Sequence, residues 1–297
     1  MHPTKHDGVL LALLVLAGSA ACAPETMASL RKEHNSKDGR VLKRPSKNKM
    51  ANLAYKRGCD LEKRGLHADA LPFFLQAESL DPGYIDAIFE AGNCYLHVEQ
   101  VPEAIAQFDK IVKLEPNNSE VYRRRATALK GVDRWKEAYD DFSKSIKLTP
   151  DIANVYTSMA EVCEHLGKWQ EAIDNYDKYL AIDPGYDRAF CQRALIFLRI
   201  KNYPKAIDDY SHVIKMNPQD DFAHKQRGDT YMLMKQYQKA ADDYSEALRL
   251  DPVDPVAIFD ARAKAYGKMG RVDLEQKDRK QAESMRRNAN PDSSLRF

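Results

Sequence analysis

The chain has little of what a compact catalytic site is made from. Glycine supplies only 13 of 297 residues. None of them forms a GxGxxG or GxxxxGK run, so the usual backbone cradles for phosphate are excluded. The five cysteines contain no CxxC pair, the eight histidines show no zinc-ligand spacing on a helix, and no serine stands in a GxSxG elbow. These absences leave no candidate catalytic residue, metal ligand set or cofactor motif, and the chain reads as non-enzymatic with no small-molecule substrate. Net charge is also small, at +2, and the residues from 51 onward are mildly acidic, which argues against nucleic acid as the main partner. The apolar run Val9–Ala17 is far below the about 20 residues that a membrane-spanning helix needs.

What is present is a period. Prolines stand 34 residues apart at Pro82, Pro116, Pro150, Pro184, Pro218 and Pro252. Twelve residues before each lies an alanine: Ala70, Ala104, Ala138, Ala172, Ala206 and Ala240. Four residues after each alanine comes an aromatic: Phe74, Phe108, Phe142, Tyr176, Tyr210 and Tyr244. With each proline numbered position 32 of its unit, position 8 is always small: Gly58, Gly92, Ala126, Ala160, Ala194 and Gly228. Small residues at positions 8 and 20 let two helices cross closely, the aromatic at 24 fills the space beside the crossing, and the proline ends the second helix.

This order of small, aromatic and proline positions resembles the tetratricopeptide repeat, a helix-turn-helix unit that stacks into a solenoid. The resemblance implies an all-α, right-handed superhelical solenoid over residues 51–287, with six repeats and a divergent seventh. Pro102 and Pro204 are expected at the first residue of their second helices, and Pro72, deeper in its helix, is expected to loosen the first repeat. After Pro252 the register slips by one, so Phe259, Ala263, Tyr266 and Gly270 mark the seventh first helix, starting near Val256. Its partner helix carries Glu275 and Arg279 where the small and aromatic residues belong, as a solvating cap requires. Residues 288–297 are expected to be a disordered tail.

The N-terminus differs from the rest. Residues 1–21 read as a secretory signal, an apolar core ending in Gly18-Ser19-Ala20-Ala21. Cys22 directly after it is similar to a bacterial lipobox, whose cysteine is acylated, although Ser19 holds the place where a large aliphatic residue is usual. Lipidation, ordinary signal cleavage and an uncleaved anchor remain open at this point. Residues 22–50 would form a flexible tether: between Ala23 and Met50 eight basic side chains face three acidic ones, a net of +5. The repeats that follow hold 37 basic and 40 acidic residues. The lipobox resemblance implies an outer-membrane lipoprotein facing the periplasm, with a secreted or periplasmic soluble protein as the alternative. Lipoproteins of this repeat class serve as pilotins or as adaptors for wall-remodelling enzymes.

In the repeat family the partner peptide lies against first-helix positions 2, 5, 6, 9, 12 and 13. Carried onto this chain, those positions offer Phe89, Asn93, Arg123, Arg124, Thr127, Lys130, Gln192, Phe222 and Gln226 as groove residues for another protein or peptide. Arg123, Arg124 and Lys130 are either an anionic hot spot or partners of neighbouring carboxylates, and Phe89 and Phe222 are the expected anchors. The family's chaperone-tail clamp is not matched: Tyr55, Cys59 and Glu120 occupy positions it needs for Lys and Asn. A soluble co-chaperone-like protein without a lipid is the second functional reading. The aspartate pairs Asp140-Asp141, Asp208-Asp209 and Asp242-Asp243 fall at positions 22 and 23, read here as an outward part of the second helix. Cys59, Cys94, Cys163 and Cys191 are buried thiols or two adjacent-repeat disulfides, Cys59–Cys94 and Cys163–Cys191.

Overall fold

The structure is a computed structural model and describes residues 45–289. Among the described residues are fourteen α-helices and no strand. They divide into two compact units at Ile182/Asp183. Residues 45–182 hold α1 (Lys49–Glu62), α2 (His67–Leu80), α3 (Ile85–His97), α4 (Val101–Leu114), α5 (Ser119–Gly131), α6 (Trp135–Leu148), α7 (Ala153–His165) and α8 (Trp169–Ile182). Residues 183–289 hold α9 (Asp187–Arg199), α10 (Tyr203–Met216), α11 (Asp221–Leu233), α12 (Tyr237–Arg249), α13 (Pro255–Lys268) and α14 (Val272–Ala289). Within each unit every helix packs on the ones before and after it in sequence, giving stacked antiparallel hairpins, the helix-turn-helix solenoid that the period implies.

One turn is built seven times. At position 15 the backbone enters the left-handed region, with φ of 75° at Gly65, 61° at Glu99, 58° at Asp133, 71° at Gly167, 61° at Lys201, 59° at Lys235 and 72° at Gly270. The next residue's N–H then bonds the carbonyl of position 11, as in Gln100 to Tyr95 at 2.8 Å and Asn202 to Phe197 at 2.7 Å. This six-residue Schellman closure satisfies carbonyls that the first helix leaves open. Between repeats, side chains of Asn48, Asn118, Asp220 and Asp254 cap the N-termini of α1, α5, α11 and α13.

The core follows the small-and-aromatic rule. Phe74, Phe108, Phe142, Tyr176, Tyr210 and Tyr244 are essentially fully buried. A Cβ placed on Gly92 would stand 2.7 Å from the Phe108 ring, and one on Gly228 2.8 Å from that of Tyr244, so these rings lie directly on the opposite backbone. In the last hairpin the small partner is displaced. Glu275 lies over Gly267, whose missing side chain leaves room for the carboxylate. Among the side chains of α14 whose burial is described, only Asp278 and Ala282 are buried, and most of the helix is polar and exposed.

Three details differ from expectation. Pro102 and Pro204 are the second residues of α4 and α10, because Val101 and Tyr203 already belong to those helices. Pro72 is exposed inside α2, which runs unbroken over 14 residues. The last helix reaches Ala289, beyond the 287/288 boundary. The signal segment, Cys22, the tether as far as residue 44 and the tail from residue 290 lie outside the described residues.

Candidate functional site

In the unit of residues 45–182, the expected groove residues come from α3 and α5. Phe89 is only 9% exposed. Its ring meets Phe108 at 5.9 Å and packs with Ile88, Ala104 and Val121, so it serves the core instead of standing free as an anchor. Asn93, 3% exposed, donates from Nδ2 to Glu90 at 3.0 Å. On α5, Arg123 and Arg124 both turn onto Glu120, at 2.6 and 2.9 Å, and Thr127 donates its hydroxyl to the Arg123 carbonyl at 3.0 Å. Lys130 reaches across to Glu161 on α7 at 2.6 Å. All three cations of the repeat 3 face are therefore held by carboxylates, Glu120 and Glu161 among them, which an incoming anion has to displace. Of the two readings open in the sequence, pairing accounts for all three side chains.

In the unit of residues 183–289, Gln192 on α9 and Phe222 on α11 are half-buried. Gln226 is 2% exposed and its side-chain oxygen has no hydrogen-bond partner. Beside it on α11, Asp229 accepts from Lys225 at 2.7 Å and from the Tyr244 hydroxyl at 2.7 Å. Burial, and then the Asp229 carboxylate, hold the Tyr244 phenol well above its ordinary pKa, so it remains a donor.

The strongest polar feature lies outside the expected groove positions. In the repeats that carry Arg at position 7 and Asp at position 23, the two form a two-pronged pair. Arg125–Asp141, Arg193–Asp209, Arg227–Asp243 and Arg262–Asp278 all close with Nε and Nη2 at 2.6–3.0 Å from the carboxylate oxygens. The aspartate pairs are thus not both outward. Asp140, Asp208 and Asp242 are exposed, but Asp141, Asp209 and Asp243 are buried, because a step of one residue turns the helix by about 100°. Three of these arginines reach back one repeat: Arg125 to Asp109 at 2.7 Å, Arg227 to Ser211 at 2.9 Å and Arg262 to Ser245 at 2.9 Å. Each of these three guanidinium groups therefore ties its own hairpin and the preceding one. The 16-residue Arg-to-Asp spacing is visible in the sequence, but its meaning lies in the packing of two helices and not in the aspartates' own helix. A cleft of about 250 Å³ beside Arg125 is walled by Arg134, Glu137 and Asp140, with Ile105 and Leu129 as its apolar side.

Cys94 and Cys163 are buried free thiols, so neither Cys59–Cys94 nor Cys163–Cys191 is bridged. Burial pushes the Cys94 thiol up to about 12 and that of Cys163 up to about 11. Among the described residues no group of three or more His, Cys, Asp or Glu is placed to hold a metal ion, and no helix is long and apolar enough to cross a membrane.

Matches to the tetratricopeptide repeat family cover residues 61–127, 123–187, 187–220 and 222–254. The chain belongs to the tetratricopeptide repeat family. A human relative, Tetratricopeptide repeat protein 6, is 36% identical over 76 residues, which are 26% of this chain and only 15% of that protein. Similar solved structures include a tetratricopeptide repeat protein from Parabacteroides merdae, with 17% identity, 80% of this chain and 94% of the other covered, and a TM-score of 0.58. MamA is similar at 22% identity over 54% of this chain and 94% of its own, with a TM-score of 0.53. YrrB, described as a TPR protein with an unusual peptide-binding site, is similar at 18% identity over 61% of this chain and 93% of its own, with a TM-score of 0.55. At these identities the tetratricopeptide structures share the fold with this chain.

Proposed function

We propose that this tetratricopeptide repeat protein is a non-enzymatic scaffold that recruits other proteins through the polar faces of its first helices. Held at the bacterial outer membrane by a lipid on Cys22, it assists assembly of envelope complexes. The observation that carries the binding part is the repeat 3 face, where Arg123, Arg124, Thr127 and Lys130 are ordered by Glu120 and Glu161 instead of being consumed by the core. Such a pre-ordered face loses little side-chain entropy when a peptide binds. The peptide-binding site named for YrrB supports the same use of a similar fold. The anchoring part rests on Cys22 after Ser19-Ala20-Ala21 and on the polar stretch that follows.

Crosslinking in intact cells followed by mass spectrometry tests the first part. Arg124→Glu with Lys130→Glu should reduce capture of the principal partner at least tenfold, equivalent to about 1.4 kcal/mol, and unchanged capture would remove the α5 face from the reading. Phe89→Ala is a poor test because it opens the core. Fatty-acid labelling tests the second part: label should enter the wild type and be lost in Cys22→Ala. An unlabelled wild type starting at Cys22 or Ala23 would make the protein a soluble exported one.

A further inference from the structure

We infer that the outer side of α1 is a second docking surface, separate from the α5 face, and that it takes an acidic amphipathic helix of a partner protein, laid against it as α2 lies against α3.

The first ground is one surface compared from repeat to repeat. Positions 3, 7 and 10 of a first helix are where the preceding second helix packs. In α3 they are Ala87, Ala91 and Cys94, which have no exposed surface and cluster with Ala70, Phe74 and Ala77 of α2. In α13, Ile258 and Ala265 hold positions 3 and 10 and cluster in the same way with Ala240, Tyr244 and Ala247 of α12. In α1 the same three positions hold Leu53, Arg57 and Asp60, and all are exposed, Leu53 at 45%. Met50, one turn earlier, is 59% exposed. Ala51, Ala54 and Gly58 bury the other side of α1, so this stripe is turned away from the core of its own repeat.

The second ground is Arg57 itself. Its counterparts Arg125, Arg227 and Arg262 each pair with a carboxylate of their own hairpin and also reach an acceptor on the preceding second helix, namely Asp109, Ser211 and Ser245. In repeat 1, Phe73 stands at the position of Asp141 and Asp243. Arg57 therefore lacks the carboxylate of its own hairpin, and it has no hydrogen-bond or ion-pair partner among the described residues. Lys49 and Lys56 lie on the same side of α1, exposed and equally without a partner among the described residues. These cations are open, whereas those of repeat 3 are held by Glu120 and Glu161.

Shape and charge together define the occupant. The stripe is the surface that a second helix covers in the later repeats, so a helix fits it. Met50 and Leu53 call for small and apolar residues at the contact, and Lys49, Lys56 and Arg57 for carboxylates along its borders, one of them placed for Arg57 as Asp109 is for Arg125. The acidic group on the stripe does not oppose this, because Asp60 accepts from Lys63 at 3.3 Å. Such a partner would continue the stack by one helix at the start of the repeats.

Fluorescence anisotropy with the purified full chain tests this. The probe is a labelled peptide of about 18 residues, ~27 Å long as a helix, with leucine and alanine on one face and glutamate along both borders; its control carries lysine for every glutamate. The wild type should bind the acidic probe with a micromolar Kd and the control at least tenfold more weakly. Lys56→Glu/Arg57→Glu and Leu53→Asp, exposed changes checked for unaltered melting, should each weaken probe binding at least tenfold. Arg124→Glu/Lys130→Glu should leave it unchanged, so failure here and failure of the α5 reading are told apart. No binding at about 100 μM protein, binding that survives Lys56→Glu/Arg57→Glu, or binding lost in Arg124→Glu/Lys130→Glu would overturn the inference. Displacement of the probe by vesicles of phosphatidylcholine with phosphatidylglycerol, but not of phosphatidylcholine alone, would assign the stripe to an anionic lipid surface and overturn the helix. A dimer in sedimentation that Leu53→Asp dissolves would assign it to a second copy and overturn it equally.

Discussion

Four of the seven position-15 turns place Glu99, Asp133, Lys201 and Lys235 in a left-handed conformation that costs an L-residue about 1–2 kcal/mol. Gly65, Gly167 and Gly270 occupy the same place without that cost. Glu99→Gly and Lys235→Gly should each stabilise the fold by about 0.5–1 kcal/mol, the strain relieved less the extra freedom of the unfolded chain, which thermal melts would register as a rise in Tm. The Arg227–Asp243 pair predicts the opposite sign. Asp243→Ala leaves a half-buried guanidinium uncompensated and should cost about 3 kcal/mol, whereas Arg227→Met with Asp243→Leu should recover most of it. Denaturant unfolding of the two single variants and the double variant would measure the coupling. Cys94 and Cys163 make a third residue-scale case. With thiols raised to about 12 and about 11, neither should react with a thiol reagent at pH 8 until denaturant exposes it, whereas fast labelling of the native protein would contradict their burial.

Hairpins are the units that carry the stability. Each joins a first helix with a small position 8 to a second helix whose aromatic ring lies on it, and Phe142, with no exposed surface, is the instance in α6. Phe142→Ala should cost about 3–5 kcal/mol. In a stack where each hairpin touches only its neighbours, that loss is local. Hydrogen exchange should therefore accelerate in α5 and α6, next in α4 and α7, and least in α1; a uniform rise across α1–α8 would contradict the nearest-neighbour picture. Much at this scale was legible in the sequence, because proline, alanine and aromatic positions recur at fixed offsets and each has one steric job. The paired aspartates were not legible in the same way. Asp140 and Asp141 are alike as residues, and only the helix that packs against them, bringing Arg125 to one and solvent to the other, separates their roles.

For the molecule as a whole, Cys22→Ala is expected to move the protein from the membrane fraction to the soluble one without changing its melting, since the repeats stand on their own cores. Cell fractionation with a parallel melt of the purified repeats would check this. The 34-residue period by itself determined the helix-turn-helix solenoid, its number of beats and its polar end, because backbone sterics and side-chain volume at positions 8, 20, 24 and 32 admit few other arrangements. Groove chemistry needed the tertiary structure. Membership of a face was readable, but whether Phe89 stands free or fills the core, and whether Arg123, Arg124 and Lys130 are open or held by Glu120 and Glu161, depends on neighbours brought close by folding. Position in a repeat sets the direction of a side chain; the charge and volume it meets there decide its use.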